Sequence, residues 1–98
     1  MTIRKERFGD VLDVTLEGRL DTVASRLVAE ELAQSFYGLH ELNLDIRRLE
    51  YISSAGLRVL LDAKRRMNLQ GIMTVSQTTE QVQNILDATG FSRLFSIC

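Results

Sequence analysis

Apolar residues recur at two different spacings along this 98-residue chain, and the order in which those spacings alternate limits the fold more than composition does. Leu12, Val14 and Leu16 alternate with Asp13, Thr15 and Glu17, the period of a strand that buries one face. After Gly18-Arg19-Leu20-Asp21 the spacing turns helical, with Ala24, Leu27, Val28, Leu32 and Phe36 on one stripe. Alternation returns from Leu39 to Ile46, where Leu42, Leu44 and Ile46 point one way and Asn43 and Asp45 the other. A second helical stripe carries Leu57, Leu60, Leu61 and Met67, Ile72 to Val75 is a short strand, and a last helix carries Val82, Ile85 and Leu86.

Turn and cap signals punctuate the same scheme. Gly9-Asp10 separates Ile3–Phe8 from Val11–Glu17 and reads as a hairpin. Asp21 is placed to cap the first helix and Gly38 to end it; Gly71 ends the second and Gly90 the third. Thr78 and Gln81 have capping-box spacing before the last helix. Residues 47–52 read as a short connection into the second helix, and Phe91, Leu94, Phe95 and Ile97 form a terminal apolar segment, helical or extended. The expected fold is α/β, in the order β-β-α-β-α-β-α, a small mixed sheet with helices packed against it. Strands separated by a helix pair in parallel. Ninety-eight residues suffice for one core, so residues 1–98 are expected to form a single domain.

Charge and cysteine content exclude several functions. Twelve Lys and Arg against 13 Asp and Glu leave a net charge of -1, without the basic excess that phosphate-backbone binding requires, so nucleic acid is not the expected partner. Cys98, the one cysteine, reads as a free thiol, and no Cys/His cluster offers a metal site. The N-terminal Met1–Arg7 segment is charged where a signal peptide is apolar, and no apolar run has the length of a membrane span. A cytoplasmic protein without membrane insertion is expected.

The candidate site is Tyr51-Ile52-Ser53-Ser54-Ala55-Gly56-Leu57-Arg58, two hydroxyls at a helix start, where free N–H groups and the helix dipole tolerate a phosphate. Either serine also serves as an ordinary N-cap. The strand ends should gather Asp21, Asp45 and Ser53-Ser54 on one rim of the sheet. Asp21 there is a cap or a neighbour of the acceptor, and Asp45 is a site neighbour or a polar residue on an exposed strand face. Arg58, Lys64, Arg65 and Arg66 give the second helix a basic side, suited to an acidic partner or simply solvated. His40 reads as an exposed loop residue. A hydrolase using Ser54 as nucleophile is disfavoured, because Gly-x-Ser-x-Gly is absent and the one histidine has no readable relation to the serine.

Gly18-Arg19-Leu20-Asp21, Leu42-Asn43-Leu44-Asp45 and the run from Leu49 to Leu61 together resemble the STAS domain of bacterial anti-sigma factor antagonists, over nearly the whole chain. Gly71–Val75 and Thr89-Gly90-Phe91 resemble the family's final strand and helix. The resemblance implies a binding protein with no catalysis or cofactor of its own. It would capture an anti-sigma factor, often a serine kinase using ATP and magnesium, and so free a sigma factor, with a phosphatase reversing the modification. The family's Asp-Ser-Ser/Thr-Gly motif falls on Ser53, Ser54, Ala55 and Gly56, so Ser54 is the matching phosphoacceptor, with Ser53 second. Asp21, Asp45, Ser53, Ser54, Ala55, Gly56 and Arg58 are the expected partner-binding residues. The alternative is a STAS scaffold or regulatory subunit of a lipid or solute transporter, lacking the phosphorylation switch.

Overall fold

The computed structural model describes residues 1–94 and 96–97 of the chain. Its elements follow the expected order: β1 (Thr2–Phe8), β2 (Val11–Leu20), α1 (Thr22–Ala33), β3 (Glu41–Ile52), α2 (Ser54–Asn68), β4 (Ile72–Val75) and α3 (Glu80–Thr89). A 3-10 turn (Phe91–Leu94) and a two-residue strand, β5 (Ser96–Ile97), follow. The terminal apolar segment is therefore both helical and extended. The readings of Phe95 and Cys98 lie outside the described residues. The five strands lie in sequence order in one sheet, in which β1 and β2 are antiparallel and the later pairs parallel.

Leu12, Val14, Leu16 and Leu20 of β2 and Leu42, Leu44, Ile46, Leu49 and Ile52 of β3 point to one face, where Val28, Leu32, Leu57, Leu60, Met67, Val82 and Leu86 of the helices close a single core. The opposite face of the sheet carries Asp13, Thr15, Asn43, Asp45 and Thr74, and a shallow hollow of about 310 Å³ lies on it. Lys5 and Arg7 of β1 turn toward the helices, Lys5 tying down α1 and Arg7 the connection that follows it. Lys5 pairs with Glu31 at 2.7 Å, and Arg7 donates to the carbonyls of Ser35 and Tyr37 at 2.9 and 3.1 Å.

β3 is longer than its alternation suggests, and residues 47–52 are strand rather than connection. Thr15 pairs with Asp45 but Glu17 with Arg48, and Gly18 pairs with Leu49 but Arg19 with Tyr51, so β3 carries an extra residue at each of two bulges. Each extra residue moves the next buried side chain from a spacing of two to three, giving Ile46, Leu49 and Ile52. The period breaks while the strand continues.

β4 accompanies β3 only from Glu41 to Leu44. Beyond it, side chains replace the missing strand. Ser76 Oγ accepts from Ile46 N at 2.9 Å, Thr78 Oγ1 donates to Ile46 O at 2.9 Å, and Thr79 Oγ1 donates to Leu49 O at 3.0 Å. Thr79 also caps α3 by accepting from Val82 N. The Thr78–Gln81 capping box is thereby corrected: Thr78 is committed to the sheet edge, and its neighbour takes the cap.

Two further expectations change. α1 ends at Ala33, before Gly38, so Phe36 lies beyond the helix, half-buried with the Arg66 guanidinium 5.4 Å from its ring centre. Gly38 (φ 72°) instead turns the chain toward β3. Leu27 is exposed, because the buried face of α1 is formed by Ala24, Ser25, Val28 and Leu32. Gly71 does follow α2, for a steric reason: a Cβ there would lie 1.8 Å from the His40 carbonyl oxygen.

Candidate functional site

β2 and β3 end side by side, with Leu20 opposite Ile52. Each then enters a helix through a single capping residue. Asp21, extended at ψ -174°, accepts from Ala24 N through Oδ1 at 2.8 Å, and its carbonyl accepts from Ser25 N at 2.9 Å and Ser25 Oγ at 2.6 Å. Ser53, extended at ψ 170°, accepts from Gly56 N through Oγ at 3.1 Å, and its carbonyl accepts from Leu57 N at 2.9 Å. Its own N–H donates to Leu20 O at 2.9 Å, joining the two helix starts.

The two serines are therefore not equivalent. Ser53 is only 9% exposed and its hydroxyl is engaged as the cap, whereas Ser54 is the first helical residue and open to solvent. No acidic side chain stands in the first turn of α2, so the positive end of its dipole lacks a carboxylate of its own helix. Gly56 is needed for close approach: a Cβ there would stand 2.8 Å from Leu20 Cγ and 3.0 Å from Ile52 Cγ1, both in the core. The glycine lets the first turn of α2 press onto the strand ends and holds Ser54 at the rim.

Arg58 is exposed one turn into α2, paired with Asp62 at 3.2 Å. Arg19 stacks on Tyr51, its guanidinium 4.5 Å from the ring centre. This cross-strand pair at the same end of the sheet escapes sequence reading because it exists only in the bulged register. Val23 and Leu27 were missed as well. With Met1, Gly18, Arg19, Asp21 and Ala24 they line a hollow of about 440 Å³ beside the rim.

Asp45 does not join this group. It sits in mid-strand opposite Thr15, on the open face of the sheet, while the rim begins at Leu20 and Ile52. Grouping it with Ser54 depended on a strand ending at Ile46. Its carboxylate binds Arg47 at 2.7 Å and accepts from Ser76 Oγ at 3.3 Å. The hydrogen bond from Arg47 lowers its pKa from 3.8 to about 2, against the opposing effect of partial burial.

The rim thus presents a protected polar cap, Ser53, followed by an exposed hydroxyl, Ser54. Solved structures with the same fold include several anti-sigma factor antagonists. A putative anti-sigma factor antagonist from Thermotoga maritima superposes with a TM-score of 0.88 at 19% identity, over 97% of this chain and 84% of that one. The Bacillus cell fate determinant SpoIIAA in its phosphorylated form gives 0.78 at 14% identity, over 99% of this chain and 91% of that one. The STAS domain model matches residues 2–98, and a putative anti-sigma factor antagonist of Bordetella bronchiseptica, BtrV, is 34% identical over 99 residues, 99% of this chain and 85% of that protein. The chain belongs to the STAS domain family.

Proposed function

We propose that this domain is an anti-sigma factor antagonist that binds an anti-sigma factor across the rim formed by Asp21, Ser53, Ser54, Ala55, Gly56 and Arg58, releasing a sigma factor. Ser54 is the phosphoacceptor that turns binding off. The observation carrying this reading is the division of labour between the serines: Ser53 is buried in a capping bond, and Ser54 beside it is exposed. The similarity to BtrV, a putative anti-sigma factor antagonist, supports the class of partner.

Phosphate on Ser54 adds about -1.5 to -2 charges next to the N–H groups of the first turn of α2. The domain's net charge of -1 then becomes roughly -3, with the change concentrated at the rim. Arg58, four residues on, is within the i,i+4 reach of that phosphate, in competition with its pairing to Asp62. A partner surface that seats a neutral hydroxyl here meets a bulky, negatively charged group instead. In this reading the partner is a serine kinase using ATP and magnesium, a phosphatase resets the domain, and both act in the cytoplasm. Among the described residues no helix is long and apolar enough to cross a membrane.

The test is incubation with the anti-sigma factor kinase of the same genome, ATP and magnesium, followed by intact mass and peptide mapping. A phosphate mass shift at Ser54 that Ser54→Ala abolishes is expected, together with at least tenfold weaker binding by Ser54→Asp. An unchanged mass with unchanged binding by Ser54→Asp removes the switch. Ala55, at the family's second hydroxyl position, favours one other reading: a constitutive STAS subunit of a lipid or solute transporter. Capture of a purified transporter ATPase in place of the anti-sigma factor selects it.

A further inference from the structure

Large apolar side chains exposed among the described residues fall into two groups. Phe8, Tyr37, Leu69 and Ile72 lie around the hairpin and the connections at the N-terminal ends of the parallel strands. Met1, Val23 and Leu27 lie at the other end, beside the rim, and are 42%, 72% and 51% exposed. Val23 and Leu27 are one turn apart on α1, and the hollow they line with Met1 is bracketed by Arg19 and Asp21. Asp21 thus belongs to both the rim and this apolar surface.

Area decides what covers it. A stable protein contact takes about 800 Å² from each partner, with an apolar centre and a polar border. Ser54, Ala55, Arg58 and Asp21 supply a small and largely polar area. A partner seated over Ser54 with a footprint of ordinary size must extend past the rim. The exposed apolar surface contiguous with Asp21 is the one on α1. Arg19, with no carboxylate within ion-pair distance among the described residues, offers that partner a cation at the border.

We infer that Met1, Val23 and Leu27 form the apolar half of a two-part docking face, covered by the same anti-sigma factor that reads Ser54. This rests on the function proposed above. The partner presents an apolar side chain to the hollow and a carboxylate to Arg19. Affinity then comes chiefly from the α1 half, and the charge state of Ser54 modulates it from the other half.

Binding of the purified anti-sigma factor to the full chain by titration calorimetry tests the inference, with folding of each variant checked by thermal melting. Val23→Glu and Leu27→Glu are each expected to raise the Kd at least tenfold, and Arg19→Glu severalfold. Leu69→Glu, at the far end and 85% exposed, is expected to leave it unchanged. Should Leu27→Glu melt early, Val23→Lys repeats the test at the more exposed position. Loss of binding by Ser54→Asp with none by Val23→Glu or Leu27→Glu overturns this inference and leaves the proposed function standing. Failure of the unaltered chain to bind the anti-sigma factor overturns both.

Discussion

The starts of α1 and α2 solve one structural problem in two ways. Both follow adjacent parallel strands, both are entered through an extended capping residue, and in both the N–H three residues later donates to the cap. α1 receives a carboxylate, Asp21, and Ala24 at the donating position. α2 receives a hydroxyl, Ser53, and Gly56. The pairing separates two properties that a single helix start would confound. The α1 end has a carboxylate built into its cap. The α2 end is neutral, packed closely against the strands, and followed by an exposed hydroxyl on which charge can be placed and removed.

The largest effect should come from exchanging the donating residues. Gly56→Ala drives a methyl group into Leu20 and Ile52, and overpacking of this kind costs about 1–3 kcal/mol. Ala24→Gly creates no clash and should cost about 1 kcal/mol through helix propensity. Urea denaturation of both variants measures the difference. If Gly56→Ala is no worse than Ala24→Gly, the close approach of α2 does not constrain the site.

The caps come next. Ser53→Ala and Asp21→Ala should each cost about 1 kcal/mol. Salt separates them: the cost at Asp21 includes charge–dipole attraction and should shrink between low and high ionic strength, while the cost at Ser53 should not. Melting curves at two salt concentrations read this directly. Equal salt dependence would mean that the two helix starts differ in shape and not in charge.

Strand and helix order, the parallel crossovers and the core of Leu12, Val14, Leu16, Leu42, Leu44, Ile46, Leu57, Leu60 and Met67 were all legible in apolar spacing, because each element buries one face and a buried face imposes its period. The end of β3 was not. A bulge changes the period without ending the strand, so Leu49 and Ile52 look like a connection until the partner strand is known. The same error displaced Asp45 to the rim and concealed the Arg19–Tyr51 stack. At the site, the sequence identified the serine pair but left open which member caps, since both have a hydroxyl and only backbone position distinguishes them. Leu27 joined the core stripe on paper because it adjoins Val28 on the helix, yet the sheet lies under Ala24 and Val28.

Asp45 provides the smallest expected effect and a check on where the docking face ends. Its pKa is lowered to about 2 in the folded protein, chiefly by the hydrogen bond from Arg47, against the usual 3.8. A carboxylate depressed by folding adds stability that is present above pH about 4 and is lost as pH falls from there toward 2. The pair is largely solvated, so the contribution at neutral pH should be below about 1 kcal/mol and should weaken with salt. Asp45→Asn should therefore lower stability slightly at pH 7 and flatten its fall between pH 4 and 2, as read by urea midpoints across that range. Binding to the anti-sigma factor should be unchanged, because Asp45 faces the open side of the sheet, away from the two helix starts. A loss of affinity comparable to that of Ser54→Asp would move the docking face from the rim onto the sheet itself, and the contrast between the two helix starts would then no longer explain how the partner is held.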